Sequence, residues 1–539
     1  MSKADNIYIV GFMGAGKSVV GKLLAEKLER KYYDTDSLIE KAADKTISEL
    51  FEESGEEQFR SVESSVLKKV SLEKNAVISC GGGLLLQEEN RKIMSETGTI
   101  IFLDTSPETL LNRLIKSNDN RPLLKGLSDT EKLDKIEEML TDRLPHYRSS
   151  DYSVNSDDKS IEDVVNAVIK VFTASTPVLI VELGERSYPI YIQQGISSKI
   201  GKIISDLHLG KKIAIVTDEI VSKLHLEAID KLLSDAGFEV LNVKIPAGES
   251  SKSLAVMSTL YDRLLEERFE RNSTIIALGG GVVGDLAGFA AATLLRGLNF
   301  VQVPTTLLAQ VDSSVGGKVG INHAMGKNLI GSFYQPNAVI IDTDFLFTLP
   351  QKELMCGMAE VIKYGLILDY EFANDISNNF SGILKLNDQE QTIKLIKRCV
   401  ELKAEVVAKD EQESGLRRIL NFGHTFGHSV ESVLPRGSIT HGEAVAFGMR
   451  AAIRLSELLE LLSPDQSEEA LNLVKKINLP DSMKELTVTE IMAAMSSDKK
   501  VKEGEIHFVL LDKIGSAVIR SGIEKPLIEE SIIFAQESI

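Results

Sequence analysis

The chain has 539 residues, 43% of them hydrophobic and 26% charged. This is a globular composition long enough for about three domains, and it excludes disorder, collagen-like repeats and low complexity. Lys and Arg number 61 against 79 Asp and Glu, a net charge of −18, which argues against nucleic acid or an anionic membrane surface as a partner.

The elements, taken in order, begin with an apolar strand at 6–10, read as a first strand and not a signal peptide. A glycine turn and a helix over about 17–31 follow. Strands are predicted at 76–80, ending in three glycines, and at 99–103, ending in Asp104. Helical patterns, such as 133–144 and 160–172, fill the gaps. This βαβα alternation predicts a parallel sheet covered by helices on both faces. Residues 1–172 form the first domain, and Thr173–Pro177, small and polar with a proline, is the linker.

A second α/β domain is predicted over 178–350. Runs at 178–183 and 188–192 suggest a hairpin, and further strands fall at 212–217, 239–245, 274–278, 300–304 and 338–342. From about 351 helical patterns dominate to about 495, with one late β-like run at 506–511, so the third domain, 351–539, reads as mostly helical. No apolar run approaches the roughly 20 residues of a membrane span. Cys80, Cys356 and Cys399 are far apart and form no CxxC, which argues against a disulfide framework or zinc knuckle and for a reducing cytoplasm.

Gly11-Phe-Met-Gly-Ala-Gly-Lys-Ser18 matches GxxxxGK[ST] between a strand and a helix. Backbone N–H groups there can wrap nucleotide phosphates, Lys17 can reach the β/γ-phosphates and Ser18 can ligate Mg²⁺. Asp34 and Asp36, two apart at a strand end, are expected to share one face, one serving the metal and one the acceptor hydroxyl. Arg60 is a candidate anion clamp with Glu63 as its orienter. Gly81–Gly83 permits close approach of a ligand, and Arg121 in Asn120-Arg-Pro-Leu-Leu124 lies in a polar stretch suited to a lid.

In order, GxxGxGKS, DTD, FxxxGExxFR, GGG, RPLL and RLPHYR resemble shikimate kinase over about residues 5–172. The resemblance implies a P-loop, nucleoside-monophosphate-kinase-like domain that transfers the ATP γ-phosphoryl group to shikimate. It implies ATP binding by Gly14, Ala15, Gly16, Lys17, Ser18, Val19 and Arg121, with Mg²⁺ on Ser18 and Asp34. Asp36 would meet the shikimate hydroxyls and act as base. Arg60 and Arg143 would hold its carboxylate beside Gly82, which suits bidentate arginine geometry.

Farther on, Leu278-Gly-Gly-Gly-Val-Val-Gly-Asp285 follows a strand and precedes a helix, a place for a pyrophosphate. Asp218 has the position of a ribose-binding acid, and Glu249 and Lys252 lie in a neighbouring loop motif. The chain has eight histidines, and three of them, His424, His428 and His441, fall close together. His424 and His428 share a helix face at i, i+4, but Thr425 replaces the Glu of a zincin, so a metalloprotease is not supported. Zinc could use one or both with His441 and a distant carboxylate. Lysines and arginines beside glycine loops in an acidic chain suggest an anionic substrate.

PAGESSKSL, GGGVVGDLAGFAA, PTTLLAQVDSSVGGKVGIN, GKNLIGSF, CGMAEVIK, LNFGHTFGHS, HGEAV and SDKK together resemble 3-dehydroquinate synthase over about 178–525. That resemblance implies an α/β NAD-binding part and an all-helical metal-binding part, with Zn²⁺ or Co²⁺ on Glu360, His424 and His441. NAD⁺ would contact Asp218, Glu249, Lys252, Gly280, Gly281, Val282, Asp285, Thr305, Thr306, Lys327 and Thr348. The substrate, 3-deoxy-D-arabino-heptulosonate 7-phosphate, would contact Asp312, Lys318, Asn328, Lys363, Lys403, Arg417, Asn421, His428 and Lys499 or Lys500. Arg296 would reach it across a homodimer interface. Lys318 and His428 are assigned catalytic roles, His428 for proton transfer because imidazole titrates near neutrality. The implied sequence is oxidation, phosphate elimination, reduction, ring opening and aldol closure, with NAD⁺ regenerated. Ile220 departs from the family's usual Asn.

Overall fold

The structure is a computed structural model that describes residues 6–116, 126–173, 177–435, 437–497 and 506–539. The chain divides into two compact units, Met1–Thr176 and Pro177–Ile539. The predicted linker lies partly outside the described residues, which omit 174–176.

The first unit is built on five strands: β1 (Asn6–Val10), β2 (Lys31–Asp34), β3 (Ala76–Ser79), β4 (Gly98–Asp104) and β5 (Tyr152–Asn155). They pair in the order β2-β3-β1-β4-β5, all parallel. Every residue of β1 is buried, as a central parallel strand requires, whereas edge strand β5 alternates buried and exposed. Edge strands β2 and β5 are four residues each, too short to reveal a period in the sequence. The first helix stops at Lys27, because Glu29 turns the chain with φ 53° into β2. The helix Ile47–Val70 opens with a Thr46/Glu49 capping box and is interrupted at Gly55, φ 76°.

In the second unit β6 (Leu179–Val181) and β7 (Tyr188–Gln193) form the expected antiparallel pair. Parallel strands complete the sheet: β8 (Lys212–Asp218), β9 (Glu239–Ile245), β10 (Thr274–Gly279), β11 (Asn299–Pro304) and β14 (Ala338–Asp342). The order is β6-β7-β14-β11-β10-β8-β9. The helix Gly281–Thr293 is rich in Gly and Ala and lies so close to its neighbours that a Cβ on Gly288 would come 2.4 Å from Val319.

Two hairpins depart from the sequence reading. β12 (Lys318–His323) and β13 (Gly326–Phe333) form an antiparallel pair where no strand was expected. The late β-like run is half of a second pair, β15 (Phe508–Lys513) with β16 (Ser516–Arg520). The interval 351–497 is otherwise helical, as predicted. One hydrophobic core joins sheet residues such as Val339 and Ile341 to helical residues such as Met358 and Phe447.

Candidate active sites

In the first unit the loop after β1 turns on Gly11, Gly14 and Gly16, at φ 151°, 83° and 91°. Those values favour glycine, and the loop leads into the N-terminus of the helix Lys17–Lys27, whose free N–H groups make a ready anion site. Lys17 Nζ donates to the carbonyls of Gly11 and Phe12, 3.0 Å each, and so stays on the loop. The Tyr32 hydroxyl lies 3.1 Å from the Ser18 carbonyl oxygen and 3.1 Å from Asp34 Oδ2, tying the two expected Mg²⁺ residues together.

The expectation that Asp34 and Asp36 project from one strand face is corrected. Asp34 ends β2 and caps the next helix, accepting from the N–H groups of Asp36 (3.1 Å) and Ser37 (3.3 Å). Asp36 sits in that helix's first turn. The two still serve one region, but through a strand-to-helix corner.

The triple glycine explains how the charged groups gather. A Cβ on Gly81 would fall 2.6 Å from Asp36 Oδ1 and 2.7 Å from Glu63 Oε1; one on Gly83 would fall 2.0 Å from an Arg60 guanidinium nitrogen. Gly82 faces Arg143 at 3.8 Å. Arg60 pairs with Glu63 at 2.7 Å, and the side chains are only 15% and 2% exposed. Burial pushes the Glu63 carboxyl up, with Arg60 opposing. Arg143 lies over the Phe12 ring, and Tyr147 donates to the Gly82 carbonyl at 2.7 Å. Asp36, Arg60, Gly82 and Arg143 are therefore brought together. Tyr32 and Tyr147 were missed, although Tyr147 follows Arg143 by four residues on one helix face. The expected lid around Arg121 lies outside the described residues.

In the second unit three helices bring a carboxylate to two imidazoles. Glu360 Oε1 lies 3.5 Å from Nε2 of both His424 and His441. Its side chain is 1% exposed, and Oε1 takes no hydrogen bond among the described residues. His424 Nδ1 is 3.0 Å from the Phe422 carbonyl, so it carries the ring proton and turns the Nε2 lone pair toward Glu360. Burial works against charge on His441, yet Glu360 and Glu431 outweigh it and raise the ring to about 10. A cation would take over that charge. Two nitrogens and one oxygen that can converge on a single ion, with a position left for substrate, fit Zn²⁺ or Co²⁺.

Cationic groups surround this cluster. Lys363 pairs with Glu360 and lies 3.8 Å from Asp312. Asp312 also takes Lys403 at 2.9 Å and the Tyr364 hydroxyl at 2.5 Å. Burial would raise the Asp312 carboxyl, but the two lysines hold it far below its ordinary range. Burial lowers Lys403 to about 8 against the pull of Asp312. Arg417 is buried and donates to the Gly316 carbonyl at 3.0 Å. Lys318 pairs with Glu413, which also accepts from Asn421 at 2.7 Å.

Toward the sheet, Lys252 meets Asp285 at 2.6 Å and Asn328 at 2.5 Å, while Glu249 accepts from Asn322 at 2.8 Å. A Cβ on Gly280 would come 3.0 Å from Thr306, and one on Gly281 would come 3.1 Å from Ser313. Val282 follows in the first turn of the helix Gly281–Thr293, and Thr305 Oγ1 is buried with no partner among the described residues. That cradle at a helix N-terminus fits the pyrophosphate of NAD⁺. Asp218 caps its own turn through the N–H groups of Ile220 and Val221.

Thr348 Oγ1 lies 2.9 Å from a ring nitrogen of His225, and Arg296, expected to reach a second copy's site, ends the short turn Leu294–Arg296 at φ 66°. Lys499 and Lys500 lie outside the described residues. Glu413, Tyr364 and Glu431 were missed; only Glu431 left a sequence signal, three residues after His428 on one helix face.

Family models match three stretches: shikimate kinase over residues 13–173, 3-dehydroquinate synthase N-terminal over 242–356, and 3-dehydroquinate synthase C-terminal over 357–501. A 2-deoxy-scyllo-inosose synthase, solved with carbaglucose-6-phosphate, NAD⁺ and Co²⁺, is 26% identical at TM-score 0.60, covering 67% of this chain and 99% of its own. A 2-epi-5-epi-valiolone synthase from Streptomyces hygroscopicus, with NAD⁺ and Zn²⁺ bound, is 27% identical at TM-score 0.61, covering 66% and 99%. A shikimate kinase from Bacteroides thetaiotaomicron is 37% identical over 31% of this chain and 97% of its own, at TM-score 0.30, so the first unit is identified by its family model and motifs and not by that superposition. The chain belongs to the shikimate kinase family in its first unit and to the 3-dehydroquinate synthase family in its second, and carries both of these shikimate-pathway activities.

Proposed function

We propose that the first unit phosphorylates shikimate through Lys17, Asp36, Arg60 and Arg143, and that the second cyclises 3-deoxy-D-arabino-heptulosonate 7-phosphate at Glu360, His424 and His441. The convergence of Glu360 Oε1 on two imidazole nitrogens, each at 3.5 Å, carries the second reading.

In the kinase unit, ATP with Mg²⁺ supplies the phosphoryl group and the charge that offsets it. The loop N–H groups and Lys17 hold the phosphates, with Ser18 and Asp34 toward the metal. Arg60 and Arg143 hold the shikimate carboxylate, and Asp36 takes the proton of the attacking hydroxyl. Glu63 fixes Arg60 against Gly83, so the clamp is set before substrate arrives.

In the synthase unit, bound Zn²⁺ or Co²⁺ supplies Lewis acidity and bound NAD⁺ supplies reversible oxidation. Lys252, Asp285 and the Gly280–Gly281 turn hold the dinucleotide. Lys318, Asn328, Lys363, Lys403, Arg417 and Asn421 bind the carboxylate and phosphate. His428 moves a proton at the reacting hydroxyl, its ring lying 5.3 Å from that of His424, centroid to centroid.

The deciding experiment follows phosphate release from the heptulosonate phosphate with full-length protein. Release should depend on a divalent metal and on NAD⁺ in catalytic amounts, with no net NADH. Stoichiometric NADH without phosphate would indicate a polyol dehydrogenase instead. Glucose 6-phosphate should release none; turnover of it would reassign the substrate. Lys17→Met should abolish shikimate phosphorylation and leave phosphate release intact.

A further inference from the structure

The histidines that face Glu360 are each held at the other ring nitrogen, but by different means. His424 uses a backbone carbonyl. His441 uses a side chain: its Nδ1 lies 3.5 Å from Glu431 Oε1, while its Nε2 faces Glu360. Glu431 lies on the same helix as His424, seven residues on, which is two turns and therefore the same face. Its side chain is only 11% exposed. Lys327 on β13, 3.6 Å away, and the ring of His428 on the same helix also face this carboxylate, so a cation on the sheet side helps balance it.

We propose that Glu431 is a positioning residue for the metal. It holds the proton of His441 on Nδ1, which leaves the Nε2 lone pair free for the ion and fixes the ring plane. A ligating imidazole with a carboxylate on its far nitrogen is oriented and made more basic, and loss of such a partner costs about 10–100-fold in metal affinity. The proposal rests on the assignment of Glu360, His424 and His441 as ligands. One competing arrangement is present: His428, Glu431 and His441 could themselves converge on an ion. The Lys327 ammonium 3.6 Å from Glu431 weighs against it, because a second cation there would be repelled.

The test uses the full chain, stripped of metal by chelator and titrated with Zn²⁺ in competition with a fluorescent indicator. Glu431→Ala should bind Zn²⁺ about 10–100-fold more weakly than the unmodified chain. Glu431→Gln, close to isosteric, retains an acceptor oxygen and should fall between. The Co²⁺-loaded Gln variant should show a shifted visible ligand-field spectrum, which a merely structural role would not produce. Affinity within twofold for both variants, with an unchanged spectrum, overturns the proposal. So does a stoichiometry of two ions in the unmodified chain falling to one in Glu431→Ala at unchanged affinity, because Glu431 would then be a ligand. If the unmodified chain binds no Zn²⁺, the ligand assignment fails instead, and the two failures are told apart.

Discussion

Gly83 shows how much one missing side chain can matter. Its backbone is ordinary, φ −103°, so alanine there is not strained; the added Cβ would instead strike the Arg60 guanidinium at 2.0 Å. Gly83→Ala should therefore displace Arg60 and raise the KM for shikimate about tenfold, or ~1.4 kcal/mol, with the KM for ATP unchanged. Steady-state kinetics in each substrate checks this. Asp410 works through acceptors: it takes the N–H groups of Ser414 (2.9 Å), Gly415 (2.7 Å) and Arg417 (3.0 Å) and so shapes the loop before Arg417. Slight burial would raise its carboxyl, but these N–H groups outweigh it and hold it well below the usual range. A depressed carboxyl means the unfolded chain binds more protons. Its stabilisation is present above the ordinary value of about 4 and is lost as pH falls through the lower folded value. Asp410→Ala should cost about 1 kcal/mol at neutral pH, because solvent can hydrate the released N–H groups, and the deficit in urea unfolding should shrink in strong acid.

At the scale of elements, the motif PTTLLAQVDSSVGGKVGIN was legible as chemistry but not as structure. The β12–β13 hairpin within and beyond it carries Lys318, Lys327 and Asn328, yet its sequence does not alternate as a strand should. Gly320 and Gly331 face each other across it: a Cβ on Gly331 would meet the Val319 carbonyl at 2.4 Å, and one on Gly320 would meet the Ile330 carbonyl at 2.6 Å. Backbone proximity, not apolar periodicity, builds this element, and a hydropathy pattern cannot report it. Gly331→Ala should open the hairpin and raise the KM for the heptulosonate phosphate at least tenfold, with shikimate phosphorylation unchanged; paired assays on one preparation check it. Central strands such as β1 and β10 were plain in the sequence because burial on both faces demands unbroken apolar runs. Glu413 and Tyr364 were invisible because their roles arise from contacts across long loops and between helices. The pairing of Glu360 with two histidines far along the chain was readable only through the family's motifs.

For the molecule as a whole, two separate compact units and two non-consecutive reactions argue that each site works alone. Chains cut between residues 173 and 177 should keep kcat/KM for each reaction within twofold. A large loss in both would show dependence between the halves. The helices that carry the proposed ligands Glu360, His424 and His441 meet at backbone distance: a Cβ on Gly448 would fall 1.8 Å from the Gly423 carbonyl, one on Gly427 would fall 2.7 Å from that of Ala444, and one on Gly442 would fall 2.4 Å from that of Cys356. Main chain locked against main chain leaves little room for the ligands to drift when no ion is bound. A metal-stripped enzyme should therefore be a dormant reserve that resumes work as soon as zinc returns, at the speed of ion capture and not of refolding.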